Sequence, residues 1–334
     1  MTIPLNTGEL LAVPSRVLGA WGLRADAVRV APGGTLNHNF DVTAGERRFF
    51  LRCYRANLET ERIFGEHALV RWVAARGVPT PLPVEAKDGS SVVVDGEGRW
   101  ALFPWVDAEA GERGALSPAR VASLGDAHGR LHSTLASHPA SAGARMRQQW
   151  DKAESLRLLD HLLRICDDRP DEADVRATIV RQRELLEGWD VRPPEDFAAL
   201  PCQILHGDFH DQQVLFRGDA VAAIVDWEIW HEDPRAWELV RSLSFSRLLD
   251  SPLLEVYLAA YRRHVRLSED EVQLALTLWF QSRVVGLWVW WAYLVEGNER
   301  LRPFFAETRA ELERVSDARW TSDVRARFVR AACG

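Results

Sequence analysis

Acidic, amide and imidazole side chains are concentrated in two nearby segments of the 334-residue sequence, residues 206–216 and residues 224–228. The first segment contains the carboxylate Asp208 and, five positions later, the amide Gln213; the second contains the carboxylate Asp226. Phosphoryl transfer uses such groups, because one acid accepts the proton of the attacking hydroxyl while oxygen ligands hold Mg²⁺ over the phosphates. The two segments therefore indicate a site for phosphoryl-transfer chemistry.

Short β-rich runs at residues 202–206, 214–216 and 221–226 surround these segments, so their side chains should be held on rigid supports. The first hundred residues also have the pattern of strands, around one helix predicted over residues 59–76. Glu66 lies within the apolar stripe of that helix, and a buried carboxylate normally needs a cationic partner. The strands predicted in this part are residues 28–31, 40–42, 48–53, 91–94 and 100–103.

The remainder of the chain is predicted to be mainly helical. A connector rich in glycine and acidic residues covers residues 107–114, and helical spacing follows at residues 148–166 and 172–189. We expect a β-rich N-terminal lobe with a hinge at residues 1–106, and a larger helical lobe carrying the hairpin at residues 107–334. Two lobes predict a cleft between them, where ligands commonly bind.

Composition excludes several classes of function. The chain has 41 basic and 48 acidic residues and a formal net charge of −7, which argues against nucleic acid as the main partner. Its four cysteines are scattered without a Cys-x-x-Cys pair, so we expect neither a disulfide framework nor a structural zinc site. The N-terminus lacks a signal-peptide pattern, and the longest apolar run, residues 284–295, is too short to cross a membrane. We therefore expect a cytoplasmic protein with no nucleic-acid or membrane partner.

The segment around Asp208 and Asp226 resembles the catalytic region of the aminoglycoside phosphotransferase and choline kinase-like family. The resemblance rests on an ordered set of motifs over most of the chain: a glycine loop, a strand cation, a helix glutamate, a hinge, a catalytic loop and a metal motif. In this sequence they are residues 33–37, Arg52, Glu66, residues 102–106, residues 206–213 and residues 224–228, with further similar segments at residues 124–132 and 234–239. The family implies an α+β, bilobal, protein-kinase-like fold with a small β-rich N-lobe containing one helix and a mainly helical C-lobe carrying a catalytic β-hairpin.

This resemblance implies a kinase that uses ATP or GTP and transfers the γ-phosphate to a hydroxyl of a small molecule, such as an aminoglycoside, an amino alcohol or a homoserine-like compound. Asp208 is the expected catalytic base and His206 is expected to brace its loop, while Asp226 and Gln213 are expected to bind Mg²⁺. Nucleotide contacts are expected from Gly33, Gly34, Asn37, Arg52, Glu66, Phe103, Trp105 and Val106. Acceptor contacts are expected from Glu228, His210 and Asp211.

Two positions depart from the family pattern. The strand cation is Arg52, which we expect to pair with Glu66 and position the nucleotide phosphates; arginine can hold two phosphate oxygens but is bulkier than lysine. Gln213 stands where the pattern has asparagine, so its amide oxygen reaches a metal on an arm one methylene longer. This change leaves open a second function, a nucleotide-binding or regulatory module without turnover.

The histidines suggest two further interpretations. The His-x-Asp-x-His pattern of residues 206–210, followed by Asp211, superficially resembles a dinuclear metallohydrolase motif, but the additional metal-binding clusters of such enzymes are missing from the sequence. His128 and His132 have the spacing of zinc ligands on a helix, yet the HExxH motif is absent. For this pair we expect core packing or a hydrogen bond.

Overall fold

The computed structural model describes residues 13–31, 36–146 and 150–333. The predicted nucleotide contacts Gly33 and Gly34 lie outside the described residues. A β-sheet occupies the N-terminal part of the chain and helices dominate the C-terminal part, which confirms the predicted α+β class.

The N-terminal region contains a five-stranded antiparallel sheet with the strand order β1-β2-β3-β5-β4. Its strands are β1 (Ala27–Val30), β2 (His38–Ala44), β3 (Arg47–Tyr54), β4 (Val93–Asp95) and β5 (Gly98–Pro104). The short helix α1 (Ser15–Ala20) precedes the sheet, and α2 (Thr60–Ala74) connects β3 to β4. Every strand predicted in this region overlaps one of these strands, and α2 matches the predicted helix to within two residues at each end. The apolar side chains on the buried side of α2 flank Glu66, which is buried as well.

Nine helices form most of the described C-terminal region. They are α3 (Pro118–Ala136), α4 (Lys152–Asp167), α5 (Ala173–Gly188), α6 (Arg235–Phe245), α7 (Leu254–Tyr261), α8 (Glu269–Val285), α9 (Trp288–Leu294), α10 (Phe305–Ser316) and α11 (Ala318–Cys333). Their buried side chains join in one large hydrophobic core, whereas the N-terminal sheet has two smaller cores of its own. No helix in the described ranges combines the length and apolar character needed to cross a membrane.

Two small sheets lie among these helices and carry the chemistry-bearing loops. Their strands are β6 (Glu109–Ala110), β7 (Cys202–Leu205), β8 (Val214–Arg217), β9 (Ala220–Ile224) and β10 (His231–Pro234). Strand β7 pairs with β10, and β8 pairs with both β6 and β9. Residues 206–213 therefore leave β7 and enter the β8–β9 hairpin, and residues 225–230 lead from that hairpin to β10.

Helix α3 packs closely against α7 and supports the loop that follows β7. A β-carbon added at Gly125 of α3 would lie 2.3 Å from the carbonyl oxygen of Tyr257, and one added at Gly129 would lie 2.6 Å from that of Tyr261. Real β-carbons do not approach so closely, so both positions require glycine. The resulting contact brings the tyrosines of α7 to the buried histidines of α3.

Candidate active site

The loop after β7 is held by backbone contacts that place Asp208. Gly207 has a φ of +89°, and a β-carbon there would lie 2.3 Å from the Ile229 carbonyl oxygen. Its N–H donates to Oε1 of Glu238, a fully buried side chain of α6. The turn therefore needs glycine for both its left-handed backbone and its close approach to the neighbouring loop.

His206 joins the two chemistry-bearing loops. Its Nδ1 accepts the Asp208 N–H at 3.2 Å, so Nε2 carries the proton and donates to the Val225 carbonyl at 3.0 Å. Burial lowers the pKa of His206, which keeps the ring neutral in this role. With both nitrogens engaged by the backbone, His206 offers neither to a metal, and the metallohydrolase interpretation loses its first ligand.

Asp208 is a partly buried carboxylate with side-chain partners on both oxygens. Its Oδ1 accepts from Nη2 of Arg241 at 2.5 Å, and its Oδ2 accepts from Nε2 of Gln213 at 3.2 Å. Burial alone would raise the pKa of Asp208, but the charge of Arg241 and the nearby His210 hold it well below its usual range. Asp208 is therefore ionised at neutral pH and can accept a proton only from a group that becomes strongly acidic during a reaction.

Asp226 follows β9 and faces the N-terminal sheet. It has a φ of +68°, one of two non-glycine residues with positive φ in the described ranges, and such backbone strain is concentrated at functional sites. Its Oδ1 accepts from Nη1 of Arg52, on β3, at 2.7 Å. Burial would lower the pKa of Arg52, but the carboxylate of Asp226 raises it above its usual value, so the arginine stays charged.

Gln213 links the two acidic loops. Its side-chain nitrogen contacts Asp208. Its main-chain carbonyl oxygen accepts the N–H of Val225, the residue before Asp226, at 3.0 Å. The loops of Asp208 and Asp226, with Gln213 between them, therefore form one hydrogen-bonded unit. The unit offers carboxylate and amide oxygens, the donors that Mg²⁺ prefers.

A second contact joins the sheet to the metal motif. Nδ2 of Asn37 donates to Oε2 of the buried Glu228 at 2.5 Å, and Oδ1 of Asn37 accepts the Arg55 N–H at 3.1 Å. Burial, together with the charge of Asp226, raises the pKa of Glu228. Asn37, directly before β2, is thus fixed to the loop after β9.

Comparison with known proteins identifies the family. A model described as the phosphotransferase enzyme family matches residues 27–274, more than half of the chain. The chain belongs to this family. It is 27% identical over 317 residues to an uncharacterized protein of Deinococcus radiodurans, covering 88% of this chain and 86% of that protein. It is 26% identical over 216 residues to a homoserine kinase of Beijerinckia indica, covering 63% of this chain and 61% of the kinase.

A solved structure confirms the kinase-like fold of this phosphotransferase. An amicoumacin kinase in complex with AMP-PNP, Ca²⁺ and its ligand Ami has a TM-score of 0.62 at 13% sequence identity, with 90% of this chain and 91% of that chain covered. Both the predicted family and the assignment as a phosphotransferase enzyme are therefore confirmed.

The predicted Arg52–Glu66 ion pair is absent from this phosphotransferase. The guanidinium of Arg52 bonds to Asp226 and, at 3.3 Å, to Asn39, whereas Oε1 of Glu66 accepts from the Tyr54 hydroxyl at 3.1 Å. Oε2 of Glu66 has no hydrogen-bond partner in the described part of the chain. Burial raises the pKa of Glu66 to about 8, against the opposing charge of Arg52, so the acid is protonated at neutral pH. The prediction was wrong because the long guanidinium reaches the carboxylate after β9, and tyrosine supplies the partner of Glu66.

The structure also changes the expected acceptor contacts. Asp211 is fully buried, and its carboxylate accepts the N–H groups of Gly114 and Gln212, so it holds the loop and cannot meet a substrate. His210 is 5% exposed and stacks on Phe245 with ring centroids 5.7 Å apart, beside Asp208. Oε2 of Glu228 accepts from Nδ2 of Asn37, and its expected contact with an acceptor stays a prediction.

The predicted hinge forms the end of β5 and the segment after it. The Phe103 side chain is buried against His67, with ring centroids 5.8 Å apart. The Trp105 N–H donates to the Arg48 carbonyl at 3.1 Å, and the Val106 carbonyl accepts the Ala108 N–H at 3.0 Å. These two backbone groups of the hinge are therefore already hydrogen-bonded within the protein, and their proposed contact with adenine stays a prediction.

Sequence reasoning included Glu238 of α6 only as part of the similar segment 234–239 and did not single out Arg241, although both side chains contact the loop after β7. They lie three residues apart on the side of α6 that also carries the partly buried Phe245. The same pattern that indicated a buried Glu66, a charged residue on the apolar side of a helix, could have identified them.

The histidine pair of α3 forms the expected hydrogen bond. The Nε2 atoms of His128 and His132 are 2.9 Å apart, and Nε2 of His132 lies 2.8 Å from Oε2 of Glu238. The hydroxyls of Tyr257 and Tyr261 meet the two Nδ1 atoms. This fully buried network links α3 and α7 to Glu238 and, through it, to Gly207.

Proposed function

We propose that this phosphotransferase uses ATP or GTP to phosphorylate a hydroxyl group of a small molecule, with an aminoglycoside, an amino alcohol or a homoserine-like compound as candidate acceptors. One observation carries the proposal: Asp208 and Asp226 stand on neighbouring loops that Gln213 and His206 join, and an arginine contacts each carboxylate. The homoserine kinase relative and the amicoumacin kinase complex with a nucleotide analogue support the same reaction class.

Asp208 serves as the base in this proposal. The acceptor hydroxyl gives its proton to the Asp208 carboxylate, its oxygen forms a bond to the γ-phosphorus, and the bond to the β–γ bridging oxygen breaks to release the nucleoside diphosphate. Because Arg241 keeps Asp208 ionised, proton transfer occurs late, after bond formation to phosphorus has acidified the hydroxyl.

The donor set suits Mg²⁺, with Asp226 and the amide oxygen of Gln213 as its protein ligands. The ion would neutralise charge on the transferred phosphoryl group. In this proposal Arg52 holds the nucleotide phosphates, and its observed contact with Asp226 supports a role next to the metal ligand. Asn37 and Glu228 fix the adjoining loops.

The alternative, a regulatory nucleotide-binding module, rests on Gln213. Its side-chain nitrogen bonds to the proposed base, a contact that ties the metal ligand to Asp208. Such a module would bind nucleotide with weak Mg²⁺ dependence and transfer no phosphate.

The test is an acceptor screen with the purified protein, ATP or GTP, and Mg²⁺. We expect one class of hydroxyl compound to gain a phosphate by mass spectrometry, with a matching amount of nucleoside diphosphate. Nucleotide binding in a thermal-shift titration without any phosphorylated product across aminoglycosides, amino alcohols and homoserine would favour the regulatory module.

A further inference from the structure

Arg241 reaches the proposed base with one of its two terminal nitrogens. Nη2 donates to Asp208, while Nη1 is shielded from solvent and has no hydrogen-bond partner among the described residues. Buried guanidinium donors are normally satisfied, and a guanidinium is built to hold two oxygens side by side. The second nitrogen therefore indicates a place for another oxygen ligand beside Asp208.

A second arginine, Arg113, lies against the same aromatic ring as Arg241, that of Phe245. The guanidinium carbons of Arg241 and Arg113 lie 4.6 Å and 5.6 Å from the centre of the Phe245 ring, on which His210 also stacks. Nη1 of Arg113 is bound to Glu307, but its Nε is buried and without a partner in the described ranges. Two partly buried arginine side chains, each with one buried and unpaired N–H donor, thus lie against one ring next to the base.

The carboxylates in this neighbourhood are already engaged. Glu307 binds Arg113, Glu311 binds Arg283 at 3.2 Å, and Asp211 holds backbone N–H groups. Asp208 itself is bound by Arg241. The unpaired polar groups that remain here are N–H donors. Such donors can bind an anionic group but not an ammonium group.

We infer that the acceptor carries a carboxylate close to its reacting hydroxyl, and that Nη1 of Arg241 binds this carboxylate while Nη2 holds Asp208. The inference rests on the proposed kinase function and names its substrate class as a short hydroxy acid, with or without an amino group. Because both nitrogens belong to one planar guanidinium, the carboxylate and the hydroxyl must lie only a few bonds apart. Arg241 is then a specificity-determining residue, and Arg113, against the same Phe245 ring, carries a second buried donor without a partner in the described ranges.

The test uses acceptor pairs that differ in the carboxylate alone: homoserine with 3-aminopropan-1-ol, serine with 2-aminoethanol, and 4-hydroxybutanoate with propan-1-ol. We expect the carboxylate member of any phosphorylated pair to have a kcat/KM at least tenfold higher than its partner. Equal or reversed preference would overturn the inference, as would phosphorylation of aminoglycosides with none of these pairs used. Both results would leave the proposed kinase function intact, whereas absence of transfer to every compound would remove the proposed function itself.

Substitution of Arg241 connects the preference to the residue. Arg241→Gln should lower turnover with both members of a pair, because Asp208 loses its partner, and should also bring the ratio of their kcat/KM values close to one. Arg241→Lys, which keeps the charge but not the paired nitrogens, should give an intermediate ratio and covers the case in which the glutamine variant does not fold. The control Arg235→Gln removes a partly buried arginine of α6 that binds Glu271, and should keep the wild-type ratio.

An anionic phosphate of the nucleotide is the other possible partner of Nη1. In that case Arg241→Gln would raise the KM for the nucleotide equally with both members of each acceptor pair and leave their ratio unchanged. That outcome would overturn the carboxylate inference.

Discussion

At the scale of single residues, the site separates two carboxylates by their partners. Asp208 is tied to Arg241 and Gln213 within the C-terminal region, whereas Asp226 is tied to Arg52 from the N-terminal sheet. The first arrangement suits a base that orients an acceptor, and the second suits a ligand that faces the nucleotide. Gln213 contacts both loops, so its length matters for each.

Gln213 tests the metal assignment directly. Gln213→Asn should retain or raise activity, because the shorter amide matches the family pattern, and should change the Mg²⁺ concentration that gives half-maximal rate. Gln213→Leu, which lacks the oxygen, should lower kcat at least about tenfold. Initial rates over a Mg²⁺ titration measure both, with Gln212→Asn at the exposed neighbouring amide as the control. An unaltered Mg²⁺ response in both Gln213 variants would argue against this ligand.

At the scale of elements, the catalytic loop depends on what packs beneath it. Glu238 of α6 bonds to the Gly207 N–H and to His132 of α3, so two helices hold the turn that presents Asp208. The identity of these supports follows from tertiary packing and not from the loop sequence.

Gly207→Ala should therefore destabilise the loop more than an alanine with a positive φ does by itself. The new β-carbon would lie 2.3 Å from the Ile229 carbonyl, so we expect a loss of about 1–3 kcal/mol in stability together with most of the activity. Gly218→Ala is the matched control, because Gly218 also has a positive φ, of +60°, but nothing lies within 4 Å of its added β-carbon. Urea denaturation and turnover should distinguish the two; equal losses would show that strain alone acts at Gly207.

The local parts of this site were predictable from sequence and the long-range partners were not. Asp208, Gln213 and Asp226 lie on a strand–loop–hairpin unit of 25 residues, Cys202 to Asp226, whose elements and order are visible in the sequence. Arg241 lies 33 residues beyond Asp208 in the chain, so no local sequence pattern predicts that the two side chains are in contact. Likewise, the burial of Glu66 was predicted correctly from its helical stripe, but its partner depended on whether Arg52 or Tyr54 came nearer.

At the scale of the whole molecule, side chains of β3 and of the residue before β2 contact the loop after β9, which belongs to the C-terminal region. Arg52 meets Asp226, and Asn37 meets Glu228. Both contacts involve the loop after β9, residues 225–230. The position of the sheet and the conformation of this loop therefore depend on one another. A lobe boundary near residues 106 and 107 stays a prediction.

Protonated Glu66 should make the stability of the molecule depend on pH. Burial raises its pKa to about 8 in the folded protein from an ordinary value of 4.5, so between these values the folded state holds a proton that the unfolded state has lost. Stability from this group is complete below pH 4.5 and declines as pH rises towards 8, by up to about 1.4 kcal/mol per pH unit.

Glu66→Gln should remove this contribution. Between pH 5.5 and 7.5 the wild-type protein should lose about 2–3 kcal/mol more stability than the variant in urea denaturation. Glu61→Gln, at an exposed acid of the same helix, should behave as wild type. Parallel pH profiles for wild type and Glu66→Gln would show that Glu66 is ionised in the folded state.

The role of Asp208 as the base is tested most directly by comparing Asp208→Asn with Asp219→Asn, the latter at an exposed acid in the turn of the β8–β9 hairpin. With the acceptor found in the screen, Asp208→Asn should lower kcat by about 10²–10⁴-fold, the usual contribution of a general base, while nucleotide binding stays within a few-fold of wild type. Asp219→Asn should retain wild-type turnover. A kcat for Asp208→Asn within a few-fold of wild type would contradict the assignment of the base.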